Sequence, residues 1–388
     1  MSTVMKRPLF SALIKVVLNR SGILLTISLF FLATPAWGQT AELTTYKRYV
    51  KSGFEQLDAK NFQSARDDFD SALRYYQSDG AAYLGLGAVY FHLKDDRAAE
   101  RALTRALELN PQEKNAYQIM GEMAYRRDDP AEAITAWEKA LAIDPSDAAL
   151  KARLDRIKKE HRTEQYFNRE VTGHFLIKYE GRERIDAGRI ILRILEDAYG
   201  EVGRALSFYP DQEIQVILYS GQQFREVTDA PGWSGGIYDG KIRLPIGGID
   251  QETPGLRRLL FHEYTHAVVR AITRRVPTWV NEGLAQYFEG RSYGRPEREG
   301  LSRLALAGKL PPLAMLEGSF MGLDQHQAGL AYLISLSAVR HMIDHFGMYR
   351  VRIMLDELAA GKDSAAAIHN GLLVSAEDFE RGWIRSLE

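Results

Sequence analysis

Residues Leu259–Val269 read LLFHEYTHAVV, an apolar run that carries two histidines four residues apart and a glutamate directly after the first. On an α-helix, side chains at i and i+4 emerge one above the other. His262 and His266 can therefore both aim an imidazole nitrogen at one point about 2 Å from each. Leu260, Tyr264, Val268 and Ala271 fall on a stripe suited to packing, whereas His262, His266 and Val269 lie on the other side. Glu263 sits roughly 100° round from His262, too poorly aligned to be a ligand but able to reach a water near that point. The other reading is a core helix that happens to carry two histidines, and the following segment bears on the choice.

A catalytic zinc ion usually takes three protein ligands and leaves one position open. The next candidate segment is PTWVNEGLAQYFEG, Pro277–Gly290, where a proline near the start and a glycine after the last periodic residue predict a second helix. Glu282 lies sixteen residues past His266, which leaves room for one turn and a return across the first helix. Glu282 is thus the expected third ligand. In such a set Zn2+ acidifies a water, and Glu263 is the expected catalytic base, taking the proton and returning it to a leaving amine.

HEYTH followed by PTWVNEGLAQYF is similar to the gluzincin metallopeptidases, and most closely resembles the peptidase-MA-like domains, in which a His-Glu-x-x-His helix precedes an Asn-Glu-Gly-x-Ala helix. The resemblance implies that His262, His266 and Glu282 hold zinc and that Glu263 is the base. It extends from His174 to the carboxyl end, because GLAYLISLSAVRHMIDHFG resembles the family's later tyrosine-containing helix. Many members place an acid four residues after the glutamate ligand, where it can hydrogen-bond a ligand histidine. Here that residue is Gln286, whose amide carbonyl accepts more weakly. Glu289 reads as a solvated or capping charge at the helix end, with a competing ligand as the alternative. Asn281 either supports the ligands or orients the helix start. Tyr332 is a candidate for stabilising an oxyanion, or else a core aromatic. His341 and His345 repeat the four-residue spacing without a glutamate after the first, and read as surface or packing histidines.

Around this motif, His174–Gly181 and Ile214–Ser220 read as strands, and residues 182–206 as a helix with Ile191, Leu195, Ala198 and Val202 on one face. Asp239-Gly240 within Gly235–Gly248 is a hairpin signal, and Pro245 in its second strand favours an edge position. Beyond Pro254 the pattern is mostly helical, so the class of this part is α+β.

Upstream the chain repeats. Gly53, Gly87 and Gly121 are 34 residues apart; so are Ala65, Ala99 and Ala133, then Ala72, Ala106 and Ala140, then Leu73, Leu107 and Leu141, while Pro111 and Pro145 close the later units. This period and these small residues resemble the tetratricopeptide repeat, in which paired antiparallel helices approach closely. Residues 146–160 read as a final covering helix, and the charged stretch Lys158–Glu170 as a boundary. The expected organisation is a signal peptide over 1–38, an α-helical tetratricopeptide solenoid over 39–160 and a zincin-like metallopeptidase domain over 171–388.

The leader combines Lys6, Arg7, Lys15 and Arg20 with a short apolar run and a small-x-small site at Ala36, Trp37 and Gly38. That order predicts export to the periplasm or outside the cell, with an uncleaved anchor in the inner membrane as the alternative. Residues 1–38 hold four of the 50 basic and none of the 51 acidic side chains, so the remainder carries 46 against 51, net −5. With no basic stripe, nucleic acid is not an expected partner. There is no cysteine, so any zinc must be held by histidine and carboxylate. The function these features predict is an extracytoplasmic zinc peptidase whose repeats recruit protein substrates or partners; the alternative is a noncatalytic protein-binding adaptor.

Overall fold

A computed structural model describes residues 36–181, 185–228, 235–245, 247, 249 and 251–387. The expected leader, as far as residue 35, lies outside them. Among the described residues no helix is long and apolar enough to cross a membrane. The chain forms two compact units, one ending at Ile119 and one beginning at Met120.

Three helix pairs come first: α1 (Ala36–Asp58) with α2 (Phe62–Tyr75), α3 (Gly80–His92) with α4 (Asp96–Leu109), and α5 (Lys114–Arg126) with α6 (Pro130–Ile143). The repeating glycine explains the pairing. A Cβ at Gly53 would lie 2.7 Å from Phe69, at Gly87 2.5 Å from Leu103, and at Gly121 2.3 Å from Trp137. Each glycine thus receives the large side chain found sixteen residues later on its partner helix. The six repeating alanines are fully buried. Lys60, Lys94 and Asp128, again 34 apart, each take a φ of 62° in the turn between paired helices. Asp95 and Asp129 cap the helices that follow two of these turns.

The second unit continues with α7 (Ala148–Glu164), β1 (Asn168–Thr172), β2 (Phe175–Tyr179), α8 (Ile185–Leu206), β3 (Ile214–Tyr219), α9 (Gly221–Val227), β4 (Ile237–Tyr238) and β5 (Ile242–Pro245). Seven helices follow: α10 (Pro254–Ile272), α11 (Thr278–Phe288), α12 (Arg295–Leu306), α13 (Gln325–Phe346), α14 (Met348–Ala359), α15 (Ser364–Leu372) and α16 (Ala376–Arg385). The strands form one mixed sheet in the order β1-β2-β3-β5-β4, with β2, β3 and β5 parallel and the outer pairings antiparallel. The hairpin at Asp239-Gly240 is present, but β5 is internal. Pro245 is tolerated because β4 pairs only with Ile242 and Arg243, which leaves the proline without a neighbour on that flank.

Alternation along the strands separates two faces. Phe175, Ile177, Val216, Leu218, Ile242 and Leu244 point into the main core with α8 and α10. The opposite face carries Lys178, Tyr219, Lys241 and Arg243, all buried. It is covered from the repeat side by carboxylates. Arg243 Nη2 lies 3.0 Å from Glu160 and its Nη1 3.2 Å from Glu164. The guanidinium also donates to Tyr219 Oη at 2.6 Å and to Asp239 at 3.1 Å. Tyr125 donates to Glu160 at 3.0 Å, and Lys178 pairs with Asp128. Two carboxylates of α7 in or beside the stretch read as a boundary are therefore structural.

Removing one partner from a buried ion network leaves the others unpaired, which costs about 3–5 kcal/mol. Arg243→Ala is expected to destabilise the protein by that order in denaturant titration, and unchanged stability would contradict the role given to this network.

Candidate metal centre

The helix of the HEYTH motif starts where sequence chemistry places it. Thr253 caps α10, its hydroxyl accepting from Leu256 N at 3.1 Å, and Pro254 fills the first helical position. Burial goes beyond a single stripe, because α10 meets α8 and the β4–β5 hairpin as well as α11. Val269 is buried although it falls on the histidine side, and Ala271, assigned to the packing stripe, is exposed.

α11 is pressed onto α13 at Gly283. A Cβ there would stand 2.4 Å from the Ser335 carbonyl oxygen and 2.5 Å from Val339, so α11 lies against both backbone and side chain of α13 with no space for a methyl group. One turn later Gln286 Nε2 donates to the carbonyls of Glu282 at 3.2 Å and Tyr332 at 2.9 Å. This seating carries Glu282 across to α10.

Glu282 Oε2 lies 3.6 Å from His262 Nε2 and 3.5 Å from His266 Nε2. These contacts are too long for hydrogen bonds. They match another geometry: two donors each about 2.1 Å from a tetrahedral cation stand about 3.4 Å apart. The three donor atoms lie within 4.8 Å of one another. Glu282 Oε2 is buried and has no hydrogen-bond partner among the described residues. A dry, unsatisfied carboxylate oxygen is costly, and a divalent cation would satisfy it. Two imidazoles and a carboxylate are a donor set suited to Zn2+ with a position to spare.

The electrostatics follow from burial and crowding. Burial pulls His262 down, but the carboxylates of Glu282, Glu289 and Glu263 outweigh it and push it up to about 10. His266 is lowered, chiefly by burial, with Glu282 and the neighbouring Asn281 opposing. Glu263 is only 5% exposed, and burial raises it to about 7 against the pull of His262. Tyr332 is pushed up to about 12 by burial and then by the charges of Glu282 and Glu263, so its phenol stays protonated at neutral pH.

Glu289 departs from its reading as a solvated or capping charge. It is 14% exposed and accepts from His262 Nδ1 at 2.9 Å. Its place is set by the end of α11, where Gly290 takes a φ of 71° and Arg291 N–H donates to Gln286 O at 3.1 Å. The usable sequence signal was its spacing, two helical turns beyond Glu282 and on the same face. Gln286 does not support a histidine; its Oε1 is buried without a partner among the described residues. His341 and His345 stack on each other with ring centroids 5.6 Å apart, among Phe346 and Phe379, as packing residues.

Comparison with known proteins agrees with this architecture. Residues 203–387 match the family described as Peptidase MA superfamily, and residues 56–122 and 97–148 match tetratricopeptide repeat families. The chain is also similar to a DnaJ homolog subfamily C member 7 homolog of Dictyostelium discoideum, 26% identical over 116 residues. That match covers 29% of this chain and 22% of the relative.

Two outcomes are expected. Glu289→Ala frees the His262 ring and lowers zinc affinity about 10–100-fold in competition titrations with a chelator. The second concerns protons. Because His262 is raised from 6.5 to about 10, its contribution to stability is full below pH 6.5 and is lost as pH rises through 10. Zinc needs the unprotonated ring, so near pH 7.5 its binding should release about one proton from His262. Calorimetry in buffers of different ionisation enthalpy reads this directly, and a buffer-independent heat would contradict it.

Proposed function

From a chain in which tetratricopeptide repeats over residues 56–148 are followed by a Peptidase MA superfamily domain over 203–387, we propose a zinc-dependent peptidase of the gluzincin type that acts outside the cytoplasm on proteins recruited by its repeats. The observation that carries this reading is the convergence of His262, His266 and Glu282 beside the buried Glu263. Zn2+ held by the three would supply Lewis acidity toward a peptide carbonyl and toward water. The chain's own residues manage the protons. Glu263 takes one from the attacking water as the oxygen adds to the carbonyl carbon, then hands it to the amine nitrogen as the carbon–nitrogen bond breaks. Tyr332, protonated throughout, donates to the carbonyl oxygen as negative charge develops there.

An extended substrate finds a partner in β4, the sheet's edge strand, which lies against α10. Tetratricopeptide repeats support protein binding, and the basic, then apolar, leader supports export.

Glu263→Gln is expected to keep about one zinc per chain while cleavage of unfolded protein falls at least about a hundredfold. If wild type and variant are equally inert over diverse unfolded proteins, and residues 47–145 still capture a partner, the protein is an adaptor instead.

A further inference from the structure

Among the described residues, Arg291 is a cation beside Glu289 that takes no part in the proposed hydrolysis. Arg291 directly follows the Gly290 turn, and its backbone is held from both sides. Its N–H donates to Gln286 O at 3.1 Å, and its carbonyl accepts from Arg340 Nη2 at 3.3 Å. Arg340 in turn stands over the rings of Tyr287 and Tyr293, at 6.0 and 5.8 Å. The side chain is freer. It is 53% exposed, and its contact with Glu289 Oε1, at 3.9 Å, is an ion pair beyond hydrogen-bonding distance. The other oxygen of Glu289 accepts from His262, so the guanidinium stands one carboxylate away from a proposed ligand imidazole.

Glu263, Glu282 and Glu289 give the site a field that repels anionic peptides. A substrate carboxylate near the scissile bond therefore needs a cation close by. An extended peptide advances about 3.3 Å per residue, so the first residues beyond the bond lie within the reach of a rim arginine. A guanidinium whose donors are not committed takes a carboxylate through two parallel hydrogen bonds. We infer that Arg291 is a specificity-determining residue that binds a substrate carboxylate, carried either by an acidic side chain next to the scissile bond or by the free carboxyl terminus of the peptide. The inference rests on the peptidase reading for the position of the substrate.

The test uses the full chain as zinc-loaded Glu263→Gln, with fluorescence anisotropy on three peptides of one parent sequence: neutral and amidated, amidated with a central Glu, and neutral with a free carboxyl terminus. At least one carboxylate peptide should bind about tenfold or more tightly than the neutral one. The second peptide reports the side-chain source and the third the terminal source. Adding Arg291→Ala should erase the difference while zinc affinity stays unchanged, and Arg291→Glu should turn the preference toward a central Lys. Equal binding of all three peptides overturns the inference. So does a preference that survives Arg291→Ala, or a uniform weakening accompanied by zinc loss, which would make Arg291 only a support for Glu289. Hydrolysis separates the two readings. Wild type that cleaves neutral and acidic peptides alike keeps the peptidase and sinks this inference; wild type that cleaves nothing while the Glu263→Gln protein discriminates does the reverse.

Discussion

The closeness of α11 to α13 at Gly283 governs the site more than any single ligand does. A glycine there lets the helix lie directly against the Ser335 carbonyl. The next residue but two, Gln286, anchors the same helix to the Tyr332 carbonyl. With that face committed to α13, the face bearing Glu282 and Glu289 must turn to α10. Both carboxylates then meet the same histidine from opposite ring nitrogens, Glu282 near Nε2 and Glu289 at Nδ1. Cores are packed too densely for such a helix to shift by even a methyl group without consequence. The distances at the site are therefore set by packing on the far side of the helix.

The second dependence lies behind the sheet. Its apolar face is ordinary, but the opposite face buries two lysines and an arginine under α7 and the turn of the third repeat. A buried ionic network is a poor source of stability compared with an apolar one, but it tolerates few alternative pairings. Asp128 illustrates this. It occupies the same left-handed turn position as Lys60 and Lys94, yet here the side chain is an acid that meets Lys178 and Arg169. A residue of the repeat pattern has thus become a residue of the domain that follows.

What was legible in the sequence divides along the same lines. The repeats could be read because glycines and alanines recur every 34 residues, and each helix pair is local in the chain. The two histidines could be read because helical geometry is local. β1 is not legible in the sequence because Asn168–Thr172 is mostly exposed and lacks an apolar alternation. The burial of Glu160, Glu164 and Arg243 was equally hidden, since their partners lie up to 118 residues away and charged residues in a strand read as solvated. Glu289 was visible by spacing, but the expected position for a supporting acid drew attention to Gln286. Only the tertiary contact of Gln286 with Tyr332 explains why the task falls to the later residue.

The protonation of the site and its capacity for a cation are one property. Three carboxylates and two imidazoles share a space from which water is largely excluded, so opposite charge must be supplied from within. Without a dication, His262 supplies it by holding a proton well above its ordinary range, and Glu263 relieves the crowding by taking a proton up to about pH 7. A dication among the same atoms would remove the reason for both protons. With a dication held there, Glu263 would be free to accept a proton from water, and a neutral His262 would keep its Nδ1–H directed at Glu289. The carboxylate density that makes the protein alone hold protons is thus what would make the loaded site both tight and basic.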